Sequence, residues 1–239
     1  MNTARHLNFY GRRRGKKLSK LQEQYLDNFL PKVSLYGVSC DENPNRDFIS
    51  LEQIFGKKCS VWLEIGFGGG EHLLSIAKQN SDIGVIGCEP YVNGVAMLLP
   101  RLAKEHLNNV KVFTDDARIL LEVLPNFSIT KLFLLFPDPW PKNKHKKRRF
   151  VNKENLEMFK RILKVNSFVY IATDVDAYAR HVLEIFNNQN DFEWIAETAN
   201  DWRKPWKNWE NTRYFAKAGL SERKTIFLIF RKCNRELWK

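Results

Sequence analysis

An α/β domain built on a mostly parallel sheet is predicted by three features of this 239-residue chain. From Val61 onward, short apolar runs of strand length alternate with longer amphipathic stretches, glycines cluster between the first run and the stretch after it, and acids end successive runs. The first strand spans Val61 to Ile65, with a helix over about 70–79; Val85 to Cys88 follows, with a helix over about 92–106. Val110 to Thr114 leads to a helix over about 117–124, Leu132 to Phe136 to a helix over about 153–164, and Phe168 to Thr173 to a helix over about 176–187. Five parallel strands are implied. Phe192 to Glu197 and Thr225 to Arg231 read as an antiparallel hairpin closing a seven-stranded sheet with helices on both faces, and Pro100 predicts a kink in the second helix.

Before this alternation lies a polar, basic arm containing Arg12, Arg13, Arg14, Lys16 and Lys17, with no periodicity, so it reads as mobile until a partner orders it. Ser19 with Gln22 three residues on is a capping box, and Leu18, Leu21, Tyr25 and Phe29 line one helix face up to Pro31. Turn-rich residues 37–60 link this extension to the core. The length suits one domain with an N-terminal extension.

The balance of 39 Lys and Arg against 27 Asp and Glu, a net charge of +12, favours a polyanionic partner, with nucleic acid leading. Cys40, Cys59, Cys88 and Cys233 match neither a zinc spacing nor a redox pair, so they read as free thiols, and no metal site is expected. With no secretory signal and no apolar run near the length of a membrane span, the chain reads as soluble and cytoplasmic, without a membrane partner.

Glu64, Gly66, Gly68 and Gly70 stand in ExGxGxG spacing between a predicted strand and helix, where glycines admit a ligand to the backbone and the helix start offers free N–H groups. Glu89 ends the second strand and can accept from both hydroxyls of a ribose. Asp115 and Asp116 end the third, where a carboxylate can accept from an adenine amino group. The single-residue glycine spacing departs from the dinucleotide fingerprint and favours S-adenosyl-L-methionine over a dinucleotide.

After the fourth strand the chain reads FPDPWPKNKHKKRR, Phe136 to Arg149. Pro137, Pro139 and Pro141 restrict the backbone around Asp138 and Trp140 at the carboxyl edge of the sheet, where open α/β folds bind ligands. Lys142, Lys144, Lys146, Lys147, Arg148 and Arg149 follow directly and suit an RNA backbone. Trp140 either stacks on a base or braces the loop, and Trp202, Trp206 and Trp209 form either a flap over the site or a cover for the sheet edge.

Glu64 to Glu71 (EIGFGGGE), Glu89-Pro90, Asp116-Ala117, Pro137 to Lys142 (PDPWPK), Lys147 to Arg149 and Ala172 to Asp174 (ATD) occur together in one family. On these residues the chain resembles bacterial tRNA (guanine-N7)-methyltransferases. The resemblance implies the Rossmann-like class I methyltransferase fold, S-adenosyl-L-methionine as methyl donor and a guanine of the tRNA variable loop as acceptor. It divides the chain into an arm and helix, 1–36, and a methyltransferase domain, 37–239. Carried over by position, Glu64 falls near the methionine end of the cofactor, Glu89 at the ribose, Asp116 at adenine, and Gly66 and Gly68 at the turn. Asp138 matches the catalytic acid, and Lys142, Asp174 and the segment from Thr212 match substrate-binding positions, with Lys146, Lys147 and Arg148 set against the tRNA backbone. The resemblance implies no obligatory protein partner, and a monomer or homodimer.

One departure stands out. Where the family carries Thr-x-Phe/Tyr-Glu, this chain has Thr212-Arg213-Tyr214-Phe215, which leaves the task of the missing Glu to another acid, Glu210 or Glu222. Two rival readings are an exocyclic-amino nucleic-acid methyltransferase and a non-catalytic RNA-binding module on a methyltransferase fold. The single Pro between Asp138 and Trp140 counts against the first, and the intact acids and glycines against the second.

Overall fold

The computed structural model describes residues 8–220 and 223–234. Helix α1 (Lys20–Asn28) starts at the capping box: Gln22 N–H donates to the Ser19 hydroxyl, and Ser19 N–H donates to the Gln22 side chain. Short helices α2 (Leu30–Val33) and α3 (Leu51–Phe55) lead to the alternating core. There follow β1 (Val61–Ile65), α4 (Glu71–Gln79), β2 (Gly84–Cys88), α5 (Val92–Lys104), β3 (Val110–Phe113), α6 (Ala117–Val123) and β4 (Ile129–Leu135). A 3-10 helix (Asn143–Arg148) precedes α7 (Lys153–Ile162), β5 (Leu163–Thr173), α8 (Asp176–Asn187), β6 (Phe192–Trp194), α9 (Asn200–Arg203), α10 (Arg213–Leu220) and β7 (Ile226–Lys232).

The strands form one seven-stranded sheet in the order β3-β2-β1-β4-β5-β7-β6, parallel from β3 to β5 and antiparallel at β7 and β6. Every residue of β2 is buried, as a parallel strand covered on both faces requires. Leu63, Leu132, Val169 and Ile171 point into one core with α6, α7 and α8, whereas Phe133, Leu135 and Val85 point into the other with α4 and α5. The chain runs outward from β1 to β3, then returns to β4 on the other side of β1. The carboxyl ends of β1 and β4 therefore flank the topological switch point, the crevice where such sheets bind ligands.

Three expectations change. The hairpin is an insertion, since β7 pairs with β5 on one side and β6 on the other. Strand β5 begins at Leu163 rather than at Phe168, because Ile129 pairs with Leu163 and Lys131 with Phe168, so the intervening residues loop out through Asn166 at φ 63°. Pro100 lies inside helix α5 as expected, its cost offset by Leu98, Leu99 and Leu102, all fully buried. The arm, expected to be mobile, is laid along the sheet edge from Asn8: Val92 N–H donates to the Arg13 carbonyl, and Asn93 both accepts from Gly15 N–H and donates to the Lys16 carbonyl. Its residues 1–7, like Glu222, fall outside the described part of the chain. No described helix is long and apolar enough to cross a membrane.

Candidate active site

At the end of β1 the chain must turn sharply into α4. Gly66 and Gly68 take φ of 76° and 57°, left-handed values open to glycine at little cost. The turn is tied to its neighbour by Gly66 N–H, which donates to the Cys88 carbonyl at 2.7 Å. Glu89, at the end of β2, completes the tie. One carboxylate oxygen accepts from Gly68 N–H at 2.7 Å and the other from Tyr91 N–H at 3.0 Å. An ionised carboxylate offers about four acceptor positions, so each oxygen keeps one for a ligand hydroxyl. Burial raises the Glu89 pKa, and the two N–H donors pull against that rise.

The third acid is held differently from the expected free acceptor. Asp116 caps α6 by accepting from Arg118 N–H, and its carboxylate is also gripped by the Arg118 guanidinium, which donates in turn to the Asn8 carbonyl. Beside it, Asp115 pairs with Arg13 at 2.7 Å. Both aspartates thus anchor the arm as well as the rim of the cleft.

Across the switch point, β4 is followed by Phe136 at φ 50° and the loop continues to Trp140 at φ 40°, two strained non-glycine residues within five positions. The strain is held in place by neighbours. Phe136 N–H donates to the Ala172 carbonyl, and the buried Arg149 donates through Nε to the Pro139 carbonyl. Asp138 stays open to solvent at the mouth of the cleft, yet the walls around it displace enough water to raise its pKa through burial, with no charged neighbour countering the rise.

A cleft of about 590 Å³ joins these parts, within the size range of small-molecule sites. Gly66, Gly68, Glu89, Asp116, Asp138, Lys147 and Arg148 all line it. Glu64 does not. Its carboxylate is sealed inside the protein 2.8 Å from His72 Nδ1, because α4 packs its first turn over β1 and the pair satisfies two otherwise orphaned polar groups. Arg148 lies over both the Tyr10 and Trp140 rings, at 4.5 and 5.0 Å from their centroids, where the two rings meet edge to face at 6.4 Å, rather than reaching into solvent. Lys142, Lys144, Lys146 and Lys147 remain exposed around the 3-10 helix.

Two further positions lie outside the cleft lining. Thr212 is buried and accepts from Phe215 N–H, so it caps α10; Asp174 is paired with Arg223 at 3.0 Å. Phe215 packs against Trp209 and Phe227, so the position of the absent Glu has become part of an apolar cluster, and Glu210 accepts from the Ser75 hydroxyl. Trp206 and Trp209 belong to that same cluster over the sheet, against Phe227.

Two participants carry no signal in the sequence, and a third, Tyr214, is read there only as part of the segment from Thr212. Tyr10 and Asn8 bring the arm into the cleft lining, and Tyr214 lies near-parallel to Phe136 and over Gly68. Gly94 lets α5 approach the turn so closely that a Cβ there would meet the Gly68 carbonyl oxygen at 2.4 Å. The available signal was a glycine inside a helix, a placement that costs about 1 kcal/mol and so marks close packing.

A family model described as putative methyltransferase matches residues 58–228. The tRNA (guanine-N(7)-)-methyltransferase of Ruegeria sp. (strain TM1040) is 49% identical over 225 residues, 94% of this chain and 88% of that protein. Its counterpart from Jannaschia sp. (strain CCS1) is 47% identical, with 95% of each chain covered. Among solved structures, an antibiotic-related methyltransferase superposes with a TM-score of 0.54 at 16% identity, over 84% of this chain and 97% of that one. The 16S rRNA methyltransferase KamB gives 0.54 at 14%, over 79% and 95%. These two likenesses establish the class I methyltransferase fold. The chain belongs to the tRNA (guanine-N(7)-)-methyltransferase family.

Proposed function

We propose that this chain transfers the methyl group of S-adenosyl-L-methionine to N7 of a guanine in the variable loop of tRNA, in the cytoplasm. The observation that carries the reading is the single cleft in which the glycine turn with Glu89 faces Asp138 across the switch point, beside four exposed lysines. An adenosyl group fits the cradle: the glycine turn leaves the backbone bare, and Glu89 keeps acceptor positions for two ribose hydroxyls. Asp116, its carboxylate taken up by Arg118, borders the adenine end of the cleft as a fixed wall. Glu64, locked to His72, acts on the methionine end through the backbone of the turn it supports.

When bound, S-adenosyl-L-methionine supplies an electrophilic methyl group on a sulfonium. Guanine N7 has an in-plane lone pair, so no residue needs to remove a proton first, and alignment dominates the rate. Asp138 accepts from the amino or ring N–H groups of guanine, orients the base, and stabilises the positive charge that develops on the purine. Lys142, Lys146 and Lys147 hold the tRNA backbone, while Arg148, seated over Tyr10 and Trp140, connects that surface to the arm. The proposed division is an arm and helix within residues 1–36, whose Asn8 to Arg12 line the cleft, ahead of the methyltransferase domain, 37–239.

Transfer of tritium from labelled cofactor to unmodified tRNA tests the reading. The chain should label tRNA, and Asp138→Ala should lose about 10²-fold or more in turnover with tRNA affinity retained. Equal labelling by the variant would remove Asp138 from the mechanism, and no labelling by the unaltered chain would overturn the function.

A further inference from the structure

Helix α10 is tied to the cofactor turn by a cluster of charges outside the acids already described. Glu71, in the first turn of α4, receives the Arg213 guanidinium through Nε at 2.9 Å and through Nη2, while Arg101 from α5 stands 3.7 Å away. Arg101 also donates to the Gly69 carbonyl at 3.3 Å. Gly69 supplies the clearance: a Cβ there would lie 2.4 Å from Arg213 Nη2. The next residue after Arg213 is Tyr214, whose ring lies over Gly68 and lines the cleft.

We infer that Arg213 and Glu71 are positioning residues that latch α10 over the cofactor turn, so that Tyr214 closes the cleft upon the bound cofactor. The latch does by ion pairing, at the start of α10, a docking task that Phe215 shares through its packing on Trp209 and Phe227. Arg213 is about half exposed, and its charge would equally suit a phosphate; its engagement by a carboxylate on α4 with two donors favours the latch. The inference rests on the reading of the cleft as the S-adenosyl-L-methionine site.

The test measures S-adenosyl-L-methionine binding by calorimetry and the separate KM values for cofactor and tRNA. Arg213→Met and Glu71→Gln should each weaken cofactor binding about two- to fivefold, the range a half-exposed ion pair supports, with the KM for tRNA unchanged. The double variant should lose no more than either single one, since both remove the same interaction. Arg213→Lys should recover part of the loss. Gly69→Ala, which keeps both charges but takes up the guanidinium's space, should reproduce the defect. Unchanged cofactor affinity in these variants, or a raised KM for tRNA alone, would overturn the latch. Absence of cofactor binding by the unaltered chain would instead overturn the reading of the cleft.

Discussion

At the end of β2, Glu89 engages both carboxylate oxygens with backbone N–H groups, whereas at the end of β4 Asp138 faces the cleft with burial alone acting on it. The two sides of the switch point differ throughout in this way. On the β1–β2 side, glycine turns, strand-end acids and a helix in backbone contact form a cradle fixed before any ligand arrives. On the β4 side, a strained loop is held by Arg149, and the cation of Arg148 lies over two rings while neighbouring lysines stay exposed. A cofactor of constant shape suits the first construction. A large polyanion that must be drawn in and then present one base suits the second.

If the first side depends on close backbone packing, Gly94→Ala should break it with the largest effect. The added methyl would meet the Gly68 carbonyl oxygen, α5 would have to shift, and cofactor affinity should fall about tenfold by calorimetry while tRNA affinity stays level. An equal loss for both ligands would mean that the two sides are not separable.

Glu89→Gln sharpens the contrast through pH. A folded-state pKa raised by burial means that ionised Glu89 opposes folding above that pKa, and that this penalty disappears as pH falls below the unfolded-state value. Melting of the cofactor-free chain against pH should therefore show it gaining stability relative to Glu89→Gln as pH drops through that window. A difference independent of pH would contradict the burial cause.

The smallest effect belongs to the other side. Lys146→Glu with Lys147→Glu should weaken tRNA binding and flatten the plot of log affinity against log salt by about 0.7–0.9 for each phosphate no longer neutralised. Cofactor affinity should stay the same, and an unchanged salt slope would take these lysines off the RNA path.

Much of this contrast can be read from the sequence, but unequally. The glycine turn and Glu89 carry local signatures, since a turn after a strand needs glycines and a strand-end acid needs only its own position. The alternation of strands and helices was likewise visible in the apolar runs, and the inserted β7 was not, because the order of antiparallel strands depends on tertiary pairing. Partners distant in sequence were also hidden: His72 reaches Glu64 only once α4 packs over β1, and Arg148 meets Tyr10 only once the arm is laid down. Thr212 shows the opposite case. Its hydroxyl follows the ordinary N-cap rule, visible in the sequence beside a helix that the apolar pattern of the Trp-rich stretch concealed.

The most direct measurement of the central claim is the identity of the methylated atom. Unmodified tRNA incubated with the chain and S-adenosyl-L-methionine, digested to nucleosides and resolved by mass spectrometry, should yield N7-methylguanosine from a single variable-loop position. Methyl on an exocyclic amino group, or N7-methylguanosine spread over many positions, would contradict the proposal that Asp138 presents one guanine ring edge-on to the sulfonium.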